Sequence, residues 1–286
     1  MKIAVIGSRG QLGSDICKVL SGVTEYEVIT LEHNQRLIGD CVEVIGVLHD
    51  LEPDVVINTA AFHNVPECEN DTDKAFDVNS IGPRNLARAS HKFGFHLIHI
   101  STDYVFDGKG SLPYRETDTA HPLNAYGNSK LSGENFVLSH TETASILRVS
   151  GLYGNGKGHT NFVNKVLEKM DNDDKMSVVS DEWLTPTPTI EVANCIKYLI
   201  ESPIYGIIHA TSEGCCSWFE FAQAIMEITD KRGFSLYMAL PGEFDTKVNR
   251  PKYSVLGNYV LNESGGFKFP HWRISLEKHL KENIKK

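Results

Sequence analysis

Hydrophobic positions in the first part of the chain come in short runs. Lys2–Gly7 is a largely aliphatic run that ends in glycine, and the segment Leu12–Leu20 then repeats apolar residues at helical spacing. Several runs are apolar on both faces, as the central strands of a parallel sheet are. Further runs of this kind follow at Tyr26–Leu31, Asp54–Ala60, Phe95–Ser101 and Ala144–Val149.

Helix-like segments lie between these runs, notably Asp73–Phe93 and Ala125–Leu138. Strands that alternate with helices in this way predict an α/β fold with a doubly wound parallel sheet of the Rossmann type. We therefore expect residues 1–150 to form a dinucleotide-binding domain.

The pattern changes after Leu152. A loop rich in Gly and Asn occupies residues 154–158, a helix is predicted over Asn161–Met170, and Ile204–Thr211 reads as one more strand. We expect residues 151–286 to form mainly a smaller substrate-binding lobe, with residues from about 186 to 212 returning to the first domain. The charged tail Leu276–Lys286 is predicted to be a solvated helix.

Composition and charge exclude several classes of protein. The chain has 286 residues and a formal net charge of −9, which argues against a nucleic-acid partner because phosphate backbones attract clustered Lys and Arg. The six cysteines show neither a CxxC pair nor the spacing of a zinc site, so no metal is predicted. Neither a signal peptide nor an apolar run of about 20 residues occurs, and we expect a cytoplasmic protein without a membrane partner.

A glycine-rich set lies at the first crossover from strand to helix. Glycines permit positive φ there and let the backbone approach a pyrophosphate, whose charge is favoured at the N-terminus of a helix. An incidental tight turn is the alternative interpretation. The residues predicted to hold a dinucleotide are Gly7, Arg9, Gly10, Gln11, Leu12 and Gly13.

Glu32 follows the second strand, about twenty residues after the glycines, where a carboxylate can accept hydrogen bonds from ribose hydroxyls. This position favours NADH over NADPH, whereas Arg9 and Arg36 favour a 2′-phosphate, so both cofactors stay open. A solvated charge at the end of a strand is the alternative for Glu32. Asp40 is a candidate for holding the adenine amino group.

Two further motifs carry acid–base chemistry. Tyr126 and Lys130 are four residues apart on a predicted helix and therefore share a face, where an ammonium would lower the pKa of a phenol. Thr102 ends a predicted strand at the carboxyl edge, where open α/β sheets bind ligands. Tyr126 would protonate a carbonyl oxygen and Thr102 would donate a hydrogen bond to the same oxygen.

Together these motifs resemble the dTDP-4-dehydrorhamnose reductase family of extended short-chain dehydrogenases. The resemblance spans nearly the whole chain, and its most specific stretch runs from Ser101 to Gly108. The other matching stretches are Gly10–Gly13, Pro53–Ala61, Pro122–Gly127 with Lys130 and Gly133-Glu134, Asn161-Phe162, Pro186-Thr187 and Arg250-Pro251.

The resemblance implies reduction of the 4-keto group of a nucleotide-linked deoxysugar with NADPH or NADH. The first expectation is conversion of dTDP-4-dehydrorhamnose to dTDP-rhamnose for cell-surface polysaccharides. Thr102, Tyr126 and Lys130 would be catalytic, and a homodimer is left open. Cofactor contacts would also come from Ala60, Ala61 and Asn79, and substrate contacts from Asp103, Tyr104, Asn161 and Arg250.

Departures from the family pattern bear on the substrate. Gly151 stands where an aromatic residue often follows Arg-x-Ser, and His63 stands where a Thr is frequent. Two family motifs are also altered: the usual Asp-Gln-x-Gly-x-Pro-Thr is Asp-Glu-Trp-Leu-Thr-Pro-Thr at residues 181–187, and the frequent Val-Asp-x-x-Glu is Val-Pro-Glu-Cys-Glu at residues 65–69. Two alternatives stay open. One is a nucleotide-sugar dehydratase or epimerase, although Tyr104 stands where dehydratases have Glu; the other is a non-catalytic regulatory subunit, as in methionine adenosyltransferase.

Overall fold

The computed structural model describes residues 1–31, 38–155, 161–173, 175–231, 233–240, 243–244 and 248–284. Within these ranges the strands are β1 (Lys2–Ile6), β2 (Glu27–Leu31), β3 (Val55–Asn58), β4 (His96–Thr102), β5 (Ala144–Val149), β6 (Leu152–Tyr153), β7 (Lys175–Val178), β8 (Trp183–Leu184), β9 (Thr187–Pro188), β10 (Gly206–His209), β11 (Cys216–Ser217) and β12 (Ser235–Met238). The helices are α1 (Gln11–Leu20), α2 (Cys41–Leu51), α3 (Val65–Asn70), α4 (Thr72–Phe76), α5 (Gly82–Phe93), α6 (Ala125–His140), α7 (Phe162–Asn172), α8 (Thr189–Glu201), α9 (Trp218–Thr229), α10 (Tyr259–Ser264) and α11 (Trp272–Ile284).

Six strands form one parallel sheet in the order β10-β5-β4-β3-β1-β2. The chain runs from β1 to its neighbour β2 and then crosses to β3 on the other side of β1. The strand order therefore reverses between β1 and β3, and all six carboxyl ends lie at one edge. The predicted doubly wound parallel sheet is confirmed, and its reversal point is where such sheets bind ligands.

Apolar layers cover both faces of the sheet. On one face, α1 and α8 pack against buried residues such as Ile57, Ile98 and Leu147. On the other, α2, α5 and α6 cover a second cluster that contains Leu97 and Ile146. Burial of each such side chain contributes about 1.5–3 kcal/mol, so these layers hold the carboxyl edge in place.

The helix predicted over Asp73–Phe93 is interrupted by a π-helical segment at Asp77–Ile81, between α4 and α5. Pro83 lacks the N–H that would bond the Asn79 carbonyl four residues earlier, which breaks the regular pattern. The Asn79 side chain is turned instead to the loop after β3. The irregularity therefore connects this helical run to the edge of the sheet.

The late segments have two destinations. Strand β10 is the sixth strand of the sheet, whereas α7, α9 and α11 surround a separate cluster centred on Phe221. The tail was predicted to be solvated, but α11 buries Trp272, Leu276 and Leu280 in that cluster because their spacing places them on one face. Throughout the described ranges, every helix is too short or too polar to cross a bilayer.

Candidate active site

The glycine turn between β1 and α1 lies at the carboxyl edge of the sheet. Gly7 has φ +78°, and the Gly10 N–H donates to its carbonyl at 2.9 Å. A Cβ on Gly13 would lie 2.2 Å from the Gly7 oxygen, so only glycine permits this close approach. Gly10, the N-cap of α1, has no side chain to accept from the first backbone N–H groups of the helix, and such a helix start favours an anionic ligand.

Thr59, just after β3, joins the two strands at the reversal point. Its hydroxyl lies 2.8 Å from the Ile6 oxygen and 3.1 Å from the Gly7 oxygen, both of which accept. Ala60 donates its N–H to Asn58 Oδ1 at 3.1 Å, and Ala60 and Ala61 are both half-buried. The outcome is a glycine cradle beside two small residues, a shape and polarity that fit the phosphates and ribose of a dinucleotide.

Thr102 is the last residue of β4. Its hydroxyl donates to Asp103 Oδ1 at 3.0 Å, accepts from the Tyr104 N–H at 3.2 Å and lies close to the phenol of Tyr126. The predicted polarising and proton-donating groups are therefore in contact.

The start of α6 fixes the position of Tyr126. Asn124 caps the helix by accepting from the Gly127 N–H at 2.8 Å, and Glu69 accepts from the Ala125 N–H at 2.6 Å. The Asn124 amide also donates to the Asn249 carbonyl at 2.9 Å, which places Arg250 close to the helix start. Asn124 directly precedes the predicted helix, and Asn at that place is an N-cap signal that a closer look at the sequence would have found.

Burial raises the pKa of Tyr126 above its ordinary value, and the nearby Thr102 hydroxyl acts in the opposite direction. Nearby Asp103, Cys68 and Tyr104 also raise it. The sequence predicts the opposite direction, on the ground that Lys130 lies one turn away. The difference arises because burial dominates the shift, while the Lys130 ammonium donates to the Ile100 carbonyl at 2.6 Å. The phenol is thus held as a proton donor.

Lys130 is buried, with 2% of its surface exposed. Burial lowers its pKa from 10.5 to about 8, and the carboxylate of Glu134 opposes that shift. The pKa of Lys130 therefore lies close to the pH of a cell, so a small change in its surroundings alters how much of it is charged.

Asp103 is 5% exposed and its carboxylate is held by three hydroxyls. Thr102 donates to Oδ1, while Ser150 and Ser254 donate to Oδ2 at 2.8 and 2.5 Å. Burial raises the pKa of Asp103, and these hydrogen bonds oppose the rise. Its oxygens thus serve to orient Thr102, and its predicted contact with substrate stays a prediction.

Tyr104 lies between the helix and the C-terminal segment. Its ring packs edge-on against Tyr126 with centroids 5.8 Å apart, and its hydroxyl lies near the guanidinium of Arg250. Burial raises the pKa of Tyr104 to about 12 despite the nearby guanidinium. Glu182 also lies within electrostatic range of Arg250.

Several predicted contact residues have structural partners. Asn79 is fully buried, and its amide binds the Phe62 backbone and the Ser129 hydroxyl. Asn161 caps α7 and donates to Gln11 and to the Gly154 carbonyl, thereby joining the glycine turn to the second lobe. Asp40 caps α2 through its Oδ1, and the Leu12 side chain lies in the core.

Some sequence predictions lie elsewhere. Glu32 and Arg36 lie outside the described residues, and Arg9 is exposed beside the glycine turn. The predicted absence of a metal stays a prediction; in the described part of the chain no three or more His, Cys, Asp or Glu side chains are grouped to hold one. Ser254 and the pair Glu134–Arg148 were missed, since no local pattern links residues so far apart.

The chain resembles known proteins over nearly its whole length. Residues 1–284 match the family model described as the RmlD substrate binding domain. The spore coat polysaccharide biosynthesis protein SpsK of Bacillus subtilis is 40% identical over 98% of this chain and 97% of its own length. The dTDP-4-dehydrorhamnose reductase of Aggregatibacter actinomycetemcomitans is 34% identical over 96% of this chain and 97% of its own length.

Solved structures agree with the sequence comparison. The dTDP-4-dehydrorhamnose reductase of Clostridium acetobutylicum superposes with a TM-score of 0.94 at 38% identity, covering 100% of both chains. The enzyme of Bacillus anthracis, solved in complex with NADP, has a TM-score of 0.93 at 33% identity and covers 99% of both chains. The UDP-glucose 4-epimerase of Thermotoga maritima, at 19% identity over 100% of this chain and 98% of its own, has a TM-score of 0.81 and shows the fold alone.

Proposed function

Because the chain belongs to the RmlD substrate binding domain family, whose members include dTDP-4-dehydrorhamnose reductases, we propose that it reduces the 4-keto group of a dTDP-linked deoxysugar. The first candidate substrate is dTDP-4-dehydrorhamnose, with dTDP-rhamnose as product. The observation that carries the proposal is the proximity of the Tyr126 phenol and the Thr102 hydroxyl at the edge of the sheet that also bears the glycine turn.

The cofactor in this proposal is NADPH or NADH, which supplies a hydride when bound. The glycine turn, the N-terminus of α1 and the small residues Ala60 and Ala61 would hold it. The NADP in the structure of the Bacillus anthracis relative supports NADPH as the first candidate.

The chain's own side chains divide the remaining work. Tyr126 gives its proton to the oxygen of the keto group, and Thr102 orients that oxygen by a hydrogen bond that strengthens as negative charge develops. Asp103 holds Thr102 in place, and Lys130 would orient the nicotinamide ribose with its ammonium. Tyr104 and Asn161 would line the sugar site, while Arg250 would meet the diphosphate beside Tyr104.

The proposed reaction also implies a cellular role and location. The likeness to SpsK of Bacillus subtilis supports a role in polysaccharide biosynthesis. We place the reaction in the cytoplasm, without a nucleic-acid or membrane partner, and leave a homodimer as the arrangement to test by sedimentation. Cell fractionation with an antibody to the chain checks the location.

The test follows NADPH and NADH absorbance in the presence of freshly generated dTDP-4-dehydrorhamnose. Wild-type protein is expected to oxidise at least one cofactor. Tyr126→Phe removes the proton donor, so kcat should fall at least about 100-fold while the dissociation constant of NADPH changes less than about threefold. Tyr205→Phe, a half-exposed tyrosine just before β10, is the matched control and should act as wild type. Near-normal turnover by Tyr126→Phe would rule out its role as the acid.

A further inference from the structure

A buried polar layer lies between α6 and the carboxyl half of the sheet. Side chains alternate along a strand, so His99 and Ser101 of β4 point to the same face as Leu97, towards α6. Arg148 of β5 stands opposite Ser101 in the strand register. All three polar residues are at most 2% exposed. On this face, polar groups replace the hydrocarbon layer just below the proposed reaction site.

Glu134 of α6 is the centre of this layer. Its Oε1 accepts from the Ser101 hydroxyl at 2.5 Å and from Arg148 Nε at 2.9 Å, and its Oε2 accepts from Arg148 Nη2 at 2.6 Å. The two charged side chains are 1% and 3% exposed. Such a buried pair gains little net stability over well-packed apolar residues, because desolvation offsets the attraction. A role other than stability is therefore expected for it.

Three consecutive residues of β4 are bound by one face of α6. Tyr126, Lys130 and Glu134 are four residues apart and therefore share that face. Lys130 donates to the Ile100 carbonyl, Ser101 donates to Glu134, and the Thr102 hydroxyl lies close to the Tyr126 phenol. The last of these contacts holds the two groups proposed to act on the keto oxygen, and the ion pair ends the series on the side away from it.

We infer that the Glu134–Arg148 ion pair is a positioning device for the reaction, which holds Lys130 charged and fixes the end of β4 against α6. This inference rests on the proposed function, because Lys130 and Thr102 belong to the proposed site. Glu134 and Arg148 act through Lys130 and Thr102.

The charges around Lys130 give the direction of the effect. Glu134 is the anion that opposes the lowering of the Lys130 pKa by burial. His99, from β4, is kept neutral by burial and by Lys130 itself. Arg148, from β5, is bound to the same carboxylate, and the π segment presents the uncharged Asn79 and Ser80 to α6. From α3 and the end of β4, Cys68 and Asp103 face Tyr126.

The test compares the pH dependence of kcat in Glu134→Gln and wild type, with NADPH and dTDP-4-dehydrorhamnose as reactants. Wild-type kcat should fall as the pH rises through about 8, where Lys130 loses its proton. Glu134→Gln removes the stabilising anion, so this fall should begin about one pH unit lower. Glu134→Asp keeps the charge and should retain the wild-type position of the fall even where kcat is smaller.

A second readout needs no substrate or cofactor. Since the pKa of folded Lys130 lies below its unfolded value of 10.5, folded protein binds fewer protons between about pH 8 and that value, and the free energy of unfolding should rise there. In Glu134→Gln the rise should begin at a lower pH. Urea unfolding at a series of pH values measures it.

Two further variants keep the result interpretable. The double variant Glu134→Gln with Arg148→Met replaces the pair by uncharged groups of similar size, so that no unpaired buried cation can unfold the protein. In this variant, too, the fall of kcat should begin at a lower pH than in wild type. Glu227→Gln breaks the half-exposed pair with Arg273 at 2.6 Å and should leave kcat at every pH as in wild type. Folded variants whose pH profiles coincide with wild type would overturn the inference, whereas an inactive wild type would overturn the proposed function.

Discussion

Two helices border the proposed site and reach it by different means. Helix α1 rests on a hydrocarbon layer and offers the backbone N–H groups of its first turn, with no side chain at its cap position Gly10. Helix α6 rests on the polar layer around Glu134 and offers two side chains, Tyr126 and Lys130, from a start fixed by Asn124 and Glu69. A ligand site made of backbone N–H groups, as at α1, requires only that the chain has the right shape. A site made of side chains, as at α6, also requires buried partners that orient those side chains.

The largest effect is expected at the backbone site. In Gly13→Ala the new Cβ would lie 2.2 Å from the Gly7 oxygen, so α1 or the turn must shift. Strain of this kind costs about 1–3 kcal/mol, which corresponds to a dissociation constant for NADPH raised about 5- to 150-fold and a lower Tm. Fluorescence titration with NADPH and thermal unfolding measure both.

The matched control for this change is Gly46→Ala in α2. A Cβ there meets nothing within 4 Å, and alanine is the better helix former by about 0.5–1 kcal/mol. Tm should rise slightly and NADPH affinity should stay as in wild type. Equal losses of affinity in both variants would refute the shape requirement at the turn.

The difference between the helices also explains what could be predicted from the sequence. The sheet and the glycine turn follow from local patterns, since each strand and glycine is identified by its immediate neighbours. Tyr126 and Lys130 are close in sequence, and Thr102 stands at a predicted strand end. Glu134 and Arg148, or Asp103 and Ser254, meet only after folding, and nothing in their neighbourhoods marks them as partners.

Sequence neighbours also do not reveal that some residues predicted to contact a ligand are hydrogen-bonded to other parts of the chain. Asn79 and Asn161 were selected by resemblance as ligand contacts, yet their amides join distant segments of the chain. The direction of the Tyr126 pKa shift was also wrong from sequence alone, because helical spacing places Lys130 beside the phenol but does not reveal that its ammonium turns to the Ile100 carbonyl.

An intermediate effect is expected from two buried histidines of the sheet, one in β10 and one in β4. Burial lowers the pKa of His209 to about 3 and of His96 to about 4, so both are neutral in the folded protein. As the pH falls below 6.5, these two imidazoles bind protons in the unfolded chain but remain unprotonated in the folded chain. Each histidine should therefore reduce the free energy of unfolding by about 1.4 kcal/mol per pH unit down to its folded pKa.

Urea unfolding between pH 7 and 5 measures this slope, and His209→Gln should make it shallower while keeping a donor for the Gly257 carbonyl at 3.1 Å. His49→Gln, in which the side chain is 70% exposed, is the control and should keep the wild-type slope. A slope unaffected by His209→Gln would mean that this imidazole takes up its proton in the folded protein.

The smallest effect is expected at the start of α6. Asn124→Ala removes the cap of Gly127 and the bond to the Asn249 carbonyl, and loss of an N-cap costs about 1 kcal/mol. Because Tyr126 is in the first turn and Arg250 follows Asn249, kcat should fall severalfold while the dissociation constant of NADPH stays near the wild-type value, the reverse of the result at Gly13. Asn64→Ala removes the corresponding cap of α3, on the Glu67 N–H at 3.2 Å, and should reduce stability without this loss of kcat. If Asn124→Ala instead weakens NADPH binding and leaves kcat unchanged, α1 is not the helix that binds the cofactor through its backbone while α6 supplies the catalytic side chains. The proposed site would then be limited to the glycine turn.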